Sequence, residues 1–246
     1  MKRQDVAIVT GASRGIGQAI ALRLARDGYA VVVNYAGNEQ DAKQTVAEIT
    51  KADGRAIAVK ANVTRSQEVK ALFDAAEAAF GPVTVLINNA GVMQPGLVSI
   101  VDTDDALFER IISTNLQGVF NTLREAGRRM KAGSRIINLS TSVLGLASPG
   151  YGAYAASKAG VEAMTKVFAN ELRGREIRVN AVAPGPTKTD LFLEGKPQEL
   201  VERISKLAPL ERLGTVEDTT RVVAFLVGEE GAWVNGQVLR VNGGMV

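Results

Sequence analysis

Asp5-Val6-Ala7-Ile8-Val9-Thr10-Gly11-Ala12-Ser13-Arg14-Gly15-Ile16-Gly17 carries the reading of the fold. A short apolar run ends in Thr10, a turn holding three glycines follows, and residues 16–27 continue with helical periodicity. Strand, glycine turn and helix in that order open a βαβ unit. Glycines permit a tight turn and let backbone N–H groups approach a pyrophosphate at the helix N-terminus. The spacing is Gly-x3-Gly-x-Gly rather than the commoner Gly-x-Gly-x2-Gly, and a glycine turn alone is also plain punctuation. Placed after a first strand, it is a dinucleotide signal, with Gly11, Ser13, Arg14, Gly15, Ile16 and Gly17 as contacts.

The same alternation runs outward along the whole chain. Residues 5–10, 29–34, 56–60, 83–88, 135–140, 177–182 and 237–241 read as strands. Residues 16–27, 39–52, 66–79, 104–130, 152–173 and 216–227 read as helices. The strands are continuously apolar rather than alternating, which suits burial on both faces in a parallel sheet. The prediction is an α/β fold: a Rossmann-like, doubly wound, seven-stranded parallel sheet with helices on both faces. Ligands are expected at the carboxyl ends of the strands. With no linker, low-complexity tract or internal repeat, the 246 residues read as a single domain.

Composition removes several kinds of chemistry. The chain has no cysteine and no histidine, which excludes disulfides, thiolate nucleophiles, a Ser-His-Asp triad and zinc held by His or Cys. No metal site is expected. The net charge of +3 is spread among interspersed acids and bases, and the densest basic stretch, 124–135, reads as a solvated helix end rather than a nucleic-acid groove. No apolar run approaches the ~18 residues that span a bilayer, and the start lacks a signal-peptide core. A cytoplasmic protein without nucleic-acid or membrane partners is expected.

Each strand end carries a candidate. After strand two, Asn34-Tyr35-Ala36 contains no acid to bond adenosine ribose hydroxyls, and none comes before Glu39. That absence, with Arg14 as a cation, favours NADP(H) over NAD(H). After strand three, Asn62 and Val63 either meet adenine or serve the next helix as a cap. Asn88-Asn89-Ala90-Gly91 lets backbone pass close to a flat ligand, as well as making an ordinary turn. Asn115 lies inside an expected helix, bonding nearby backbone or holding a water. Ser140-Thr141-Ser142 offers hydroxyls to a carbonyl or to its own turn. Pro184-Gly185, Thr187 and Thr189 follow strand six, and the threonines suit a nicotinamide carboxamide.

Tyr154 and Lys158 stand one helical turn apart in an alanine-rich, proline-free stretch. A phenol ionises near pH ~10, and an ammonium beside it favours the phenolate and suits it to general acid-base work.

In order and spacing, 10–17, 88–91, Asn115, Ser142, Tyr154-x3-Lys158 and Pro184-Gly185 resemble the short-chain dehydrogenase/reductase family, over essentially the whole chain. The resemblance is to the single-domain branch with 3-oxoacyl-(acyl-carrier-protein) reductases and glucose dehydrogenases. It implies Tyr154 as proton donor, Lys158 lowering its pKa and binding the nicotinamide ribose, Ser142 polarising the carbonyl and Asn115 anchoring a relay water. The family's serine often stands thirteen residues before the tyrosine, where this chain has Thr141; the following Val143-Leu144-Gly145 supports Ser142 with a shorter loop. Asn62 stands where the family often has Asp.

The resemblance further implies a substrate lid at about 188–213 and a homotetramer. The expected activity is NADPH-dependent reduction of a small-molecule ketone or 3-oxoacyl group. Oxidation of an alcohol or sugar by the same site, or a silent NADP-binding regulator, are the alternatives.

Overall fold

The computed structural model describes residues 5–246. Its strands are β1 (Val6–Val9), β2 (Ala30–Tyr35), β3 (Arg55–Lys60), β4 (Val85–Asn88), β5 (Arg135–Leu139), β6 (Arg178–Pro184) and β7 (Val238–Val241). They form one all-parallel sheet in the order β3-β2-β1-β4-β5-β6-β7. The helices are α1 (Gly15–Arg26), α2 (Glu39–Lys51), α3 (Ser66–Phe80), α4 (Asp105–Ile112), α5 (Gly118–Arg129), α6 (Val143–Leu146), α7 (Gly152–Glu171), α8 (Asp190–Leu193), α9 (Gln198–Ser205) and α10 (Val216–Val227).

All four residues of β1 are buried, because the strand's two faces serve two cores. Val6 and Ile8 join Leu72 and Phe73 of α3, Leu123 of α5 and Val161 of α7. Ala7 and Val9 join Ile20 and Leu24 of α1, Ile49 of α2 and Val223 and Leu226 of α10. Each large aliphatic taken fully out of water contributes about 1.5–3 kcal/mol, and a strand walled on both sides needs apolar residues at every position. At one edge, β3 begins and ends in exposed Arg55 and Lys60, charges that discourage pairing with another strand.

The order places β1 between β2 and β4. The chain winds outward from β1 to β3, then returns to the far side of β1 at β4. The crossovers leave in opposite directions there, so a crevice opens above the carboxyl ends of β1 and β4.

One expected element is divided. The single helix anticipated over 104–130 is α4, a π-helical turn at Ser113–Gln117, and α5. The expected lid segment contains α8 and α9, and the Thr189 hydroxyl caps α8 by accepting from the Phe192 N–H at 3.3 Å. Among the described residues, no helix is long and apolar enough to cross a membrane.

Candidate active site

The glycine turn is held from both flanks. Asn34, at the end of β2, accepts from the Gly11 N–H through its side chain and from the Ala12 N–H through its carbonyl. From the end of β4, the Asn89 amide donates to the carbonyls of Thr10 and Gly11, each at 2.9 Å. Gly11 has φ +61°, and a Cβ there would come within 2.8 Å of the Ala90 Cα. Glycine therefore suits both the conformation and the close approach. Helix α1 then starts with neither a side-chain cap nor an acid in its first turn. Its free N–H groups and positive dipole end face the crevice, a setting for a pyrophosphate.

That crevice is a cleft of about 560 Å³, well inside the range of cofactor sites. Gly11, Ser13, Arg14, Gly15, Ile16 and Gly17 line it, as do Ala36, Asn62, Val63, Asn89, Ala90, Gly91 and Thr189. Arg14 is exposed at its rim. Asn62 uses its side-chain oxygen on the Thr64 N–H at 3.0 Å, the local-turn alternative, and still borders the cleft.

Of the residues expected at the adenosine end, Tyr35 is placed otherwise and Asn34 has its side chain engaged. Tyr35, only 7% exposed, packs in the core shared with α1 and α2 and does not line the cleft. The Asn34 side chain borders the cleft, but its amide donates to the carbonyls of Val59 and Ala61. It ties β2 to β3 and to the glycine turn. Strand alternation explains both: once neighbouring residues commit to the sheet, successive side chains must take opposite faces.

The cleft continues past Asn89, Gly91, Val92 and Thr189 into a second pocket of about 210 Å³. Tyr154 and Lys158 of α7 face it, with Thr141, Tyr151, Pro184, Gly185 and Thr187. The Lys158 ammonium donates to the Leu139 carbonyl at 2.7 Å and lies 6.0 Å from the centre of the Tyr154 ring. Burial brings Lys158 down to about 8 and pushes the Tyr154 phenol up to about 12. Loss of solvent dominates the phenol; the group that lowers it is Thr141, through a hydrogen bond, while nearby Tyr151 raises it.

The hydroxyl expected from Ser142 is the clearest correction. Ser142 is 1% exposed, donates to the Ala183 carbonyl at 2.9 Å and accepts from the Asn242 amide at 3.0 Å. It points between β6 and the C-terminal turn, away from the cleft. Thr141, one residue earlier, borders the pocket and reaches Tyr154. The thirteen-residue spacing from Thr141 to Tyr154 was the sequence signal for this arrangement.

Asn115, fully buried in the π-helical turn, grips Val92 twice. Its oxygen accepts from the Val92 N–H and its amide donates to the Val92 carbonyl, both at 2.8 Å. It also donates to Ser157, whose hydroxyl donates to the Tyr154 carbonyl at 2.7 Å. Its side chain therefore braces the wall between cleft and pocket. Arg110 and Met245 also reach the two cavities, and no local sequence signal marks either.

A nucleotide-sized cleft at the sheet's switch point, opening onto a tyrosine-lysine pair, defines a dinucleotide-dependent oxidoreductase. A family model described as enoyl-(acyl carrier protein) reductase matches residues 11–246. A short-chain type dehydrogenase/reductase from Picea abies is 49% identical, covering 98% of this chain and 92% of the relative. An NADPH-dependent aldehyde reductase-like protein, chloroplastic, from Arabidopsis thaliana is 47% identical over 98% of this chain and 94% of its own length. A solved short-chain dehydrogenase from Burkholderia cenocepacia in complex with NADP superposes with a TM-score of 0.92 at 34% identity, covering all of this chain and 99% of that one. The chain belongs to the short-chain dehydrogenase/reductase family.

Proposed function

We propose that the protein is an NADPH-dependent carbonyl reductase in which Tyr154 delivers the proton. The observation that carries this reading is the convergence of Tyr154, Lys158 and Thr141 on one small pocket continuous with the nucleotide cleft. The nicotinamide, when bound, supplies the hydride. Thr141 orients the carbonyl by hydrogen bonding, Tyr154 gives its phenolic proton to the oxygen that gains charge, and the Lys158 ammonium favours the phenolate left behind. At neutral pH a phenol near 12 holds its proton and a lysine near 8 is mostly charged.

Three observations support NADPH. The end of β2 brings no acid to the cleft, whose one acidic lining residue is Asp190 beside Thr189, and Glu39, the nearest acid to β2 along the chain, pairs with Lys43 at 2.7 Å. Arg14 stands exposed at the rim, able to pair with a 2′-phosphate. NADP also appears in the descriptions of similar proteins, including the Burkholderia cenocepacia complex.

The test is oxidation of NADPH, and of NADH in parallel, over β-ketoesters, acetoacetyl thioesters, aromatic ketones, aldehydes and sugars. Turnover with at least one carbonyl class is expected, faster with NADPH. Tyr154→Phe should bind NADPH nearly as well while losing about 10³-fold in kcat. Equal use of NADH would overturn the cofactor reading. A Tyr154→Phe variant that keeps most of its turnover would remove the tyrosine from this role.

A further inference from the structure

The carbonyl pocket shares part of its wall with another cavity. Ile204, Met245 and Pro186 border the pocket and also border a cavity of about 390 Å³ on its other side. Arg212, Arg221 and Arg240 line that second cavity, and Asp218 is its one acid. Asp218 is already engaged: it pairs with Arg212 at 2.6 Å and accepts the Thr215 N–H at 2.8 Å. Among the described residues, Arg221 and Arg240 form no ion pair and no side-chain hydrogen bond. Two arginines without an ion partner therefore border a cavity that shares a wall with the carbonyl pocket.

Size gives that arrangement a use. The carbonyl pocket's volume, about 210 Å³, is below the ~300–1,000 Å³ usual for small-molecule sites. A longer ketone must extend beyond it, and of the shared wall of Gly185, Pro186, Ile204 and Met245 the unbranched methionine is the part that repacks most readily. The geometry points to the arginine-lined cavity as a subsite for the anionic end of an elongated ketone, held by Arg221 and Arg240 while the carbonyl meets Tyr154. This assignment rests on the carbonyl-reductase reading. Guanidinium forks suit carboxylate and phosphate alike, so an anionic terminus is the recognised chemistry.

The experiment compares three substrates: a long methyl ketone ending in a carboxylate, its methyl ester, and its phosphate counterpart. Wild type should favour the charged ketones over the ester by about fivefold in kcat/KM, the scale of a solvent-exposed ion pair. Arg221→Gln/Arg240→Gln should erase that preference and leave ester turnover and NADPH affinity unchanged; both side chains are exposed, so folding is not at stake. The ratio between the two charged arms ranks carboxylate against phosphate. No preference in wild type, or one that survives in the double variant, overturns the assignment. If none of the ketones turns over, the reductase reading fails for this class of substrate. Calorimetry with the unreactive fatty acid and its methyl ester then decides the subsite alone: a carboxylate preference lost in the double variant upholds it, and equal affinities overturn it.

Discussion

Thr141 and Ser142 differ by one methyl group and one position, and the structure gives them opposite surroundings. The buried Ser142 hydroxyl joins the Ala183 carbonyl to the Asn242 amide. Ser142→Ala should therefore cost about 1–2 kcal/mol of stability, since both partners lose a hydrogen bond, while kcat stays within about threefold. Thr141→Val should preserve the fold and lower kcat about 100-fold, the loss expected on removing one donor to a developing oxyanion. Urea melts combined with steady-state rates separate the two, and the reverse pattern would restore Ser142 to the catalytic position.

Lys158 yields a pH dependence with a definite sign. Its ammonium is discharged as pH rises through about 8, and the charge it loses is one that attracts an anionic cofactor. NADPH affinity, followed by fluorescence titration, should weaken above that pH. Tyr154, near 12, does not titrate in this window. In Lys158→Met the dependence should disappear; an affinity in wild type that stays flat to pH ~10 would contradict the assignment.

At the scale of elements, the π-helical turn between α4 and α5 shows why one helix read from sequence is two in space. The stretch suits a helix throughout, and α4 has a good start, with the Asp104 side chain accepting from the Leu107 N–H at 2.7 Å. The wider turn occurs where Asn115 must reach Val92, 23 residues earlier in the chain. Propensity describes a residue's preference along its own helix and contains nothing about such a partner. Helix α7 was legible for the opposite reason. Tyr154 and Lys158 are one turn apart on it, so their proximity follows from helical geometry alone. The strands were legible within a residue or two at each end, because burial on both faces leaves a continuous apolar run.

At the scale of the molecule, the surface away from the cleft leaves Phe108, Phe120 and Val167 about half exposed on α4, α5 and α7. Apolar groups of that size on neighbouring helices support the proposal of a homotetramer built through these elements. Light scattering should give about four times the 26.0 kDa chain mass, and a monomeric mass would reject the assembly.

The sequence by itself determined the architecture and the tyrosine-lysine pair. Both follow from patterns a few residues long: apolar runs, a glycine turn after a strand, a spacing of four on a helix. Only the tertiary structure decided that Thr141 rather than Ser142 faces the pocket of Tyr154 and Lys158, that Tyr35 turns into the core, and that Met245 helps to wall the pocket. Those outcomes depend on which distant segments pack together, Asn242 against Ser142 and residues 208–210 against Gly243 and Gly244, and long-range contact leaves no local period to read.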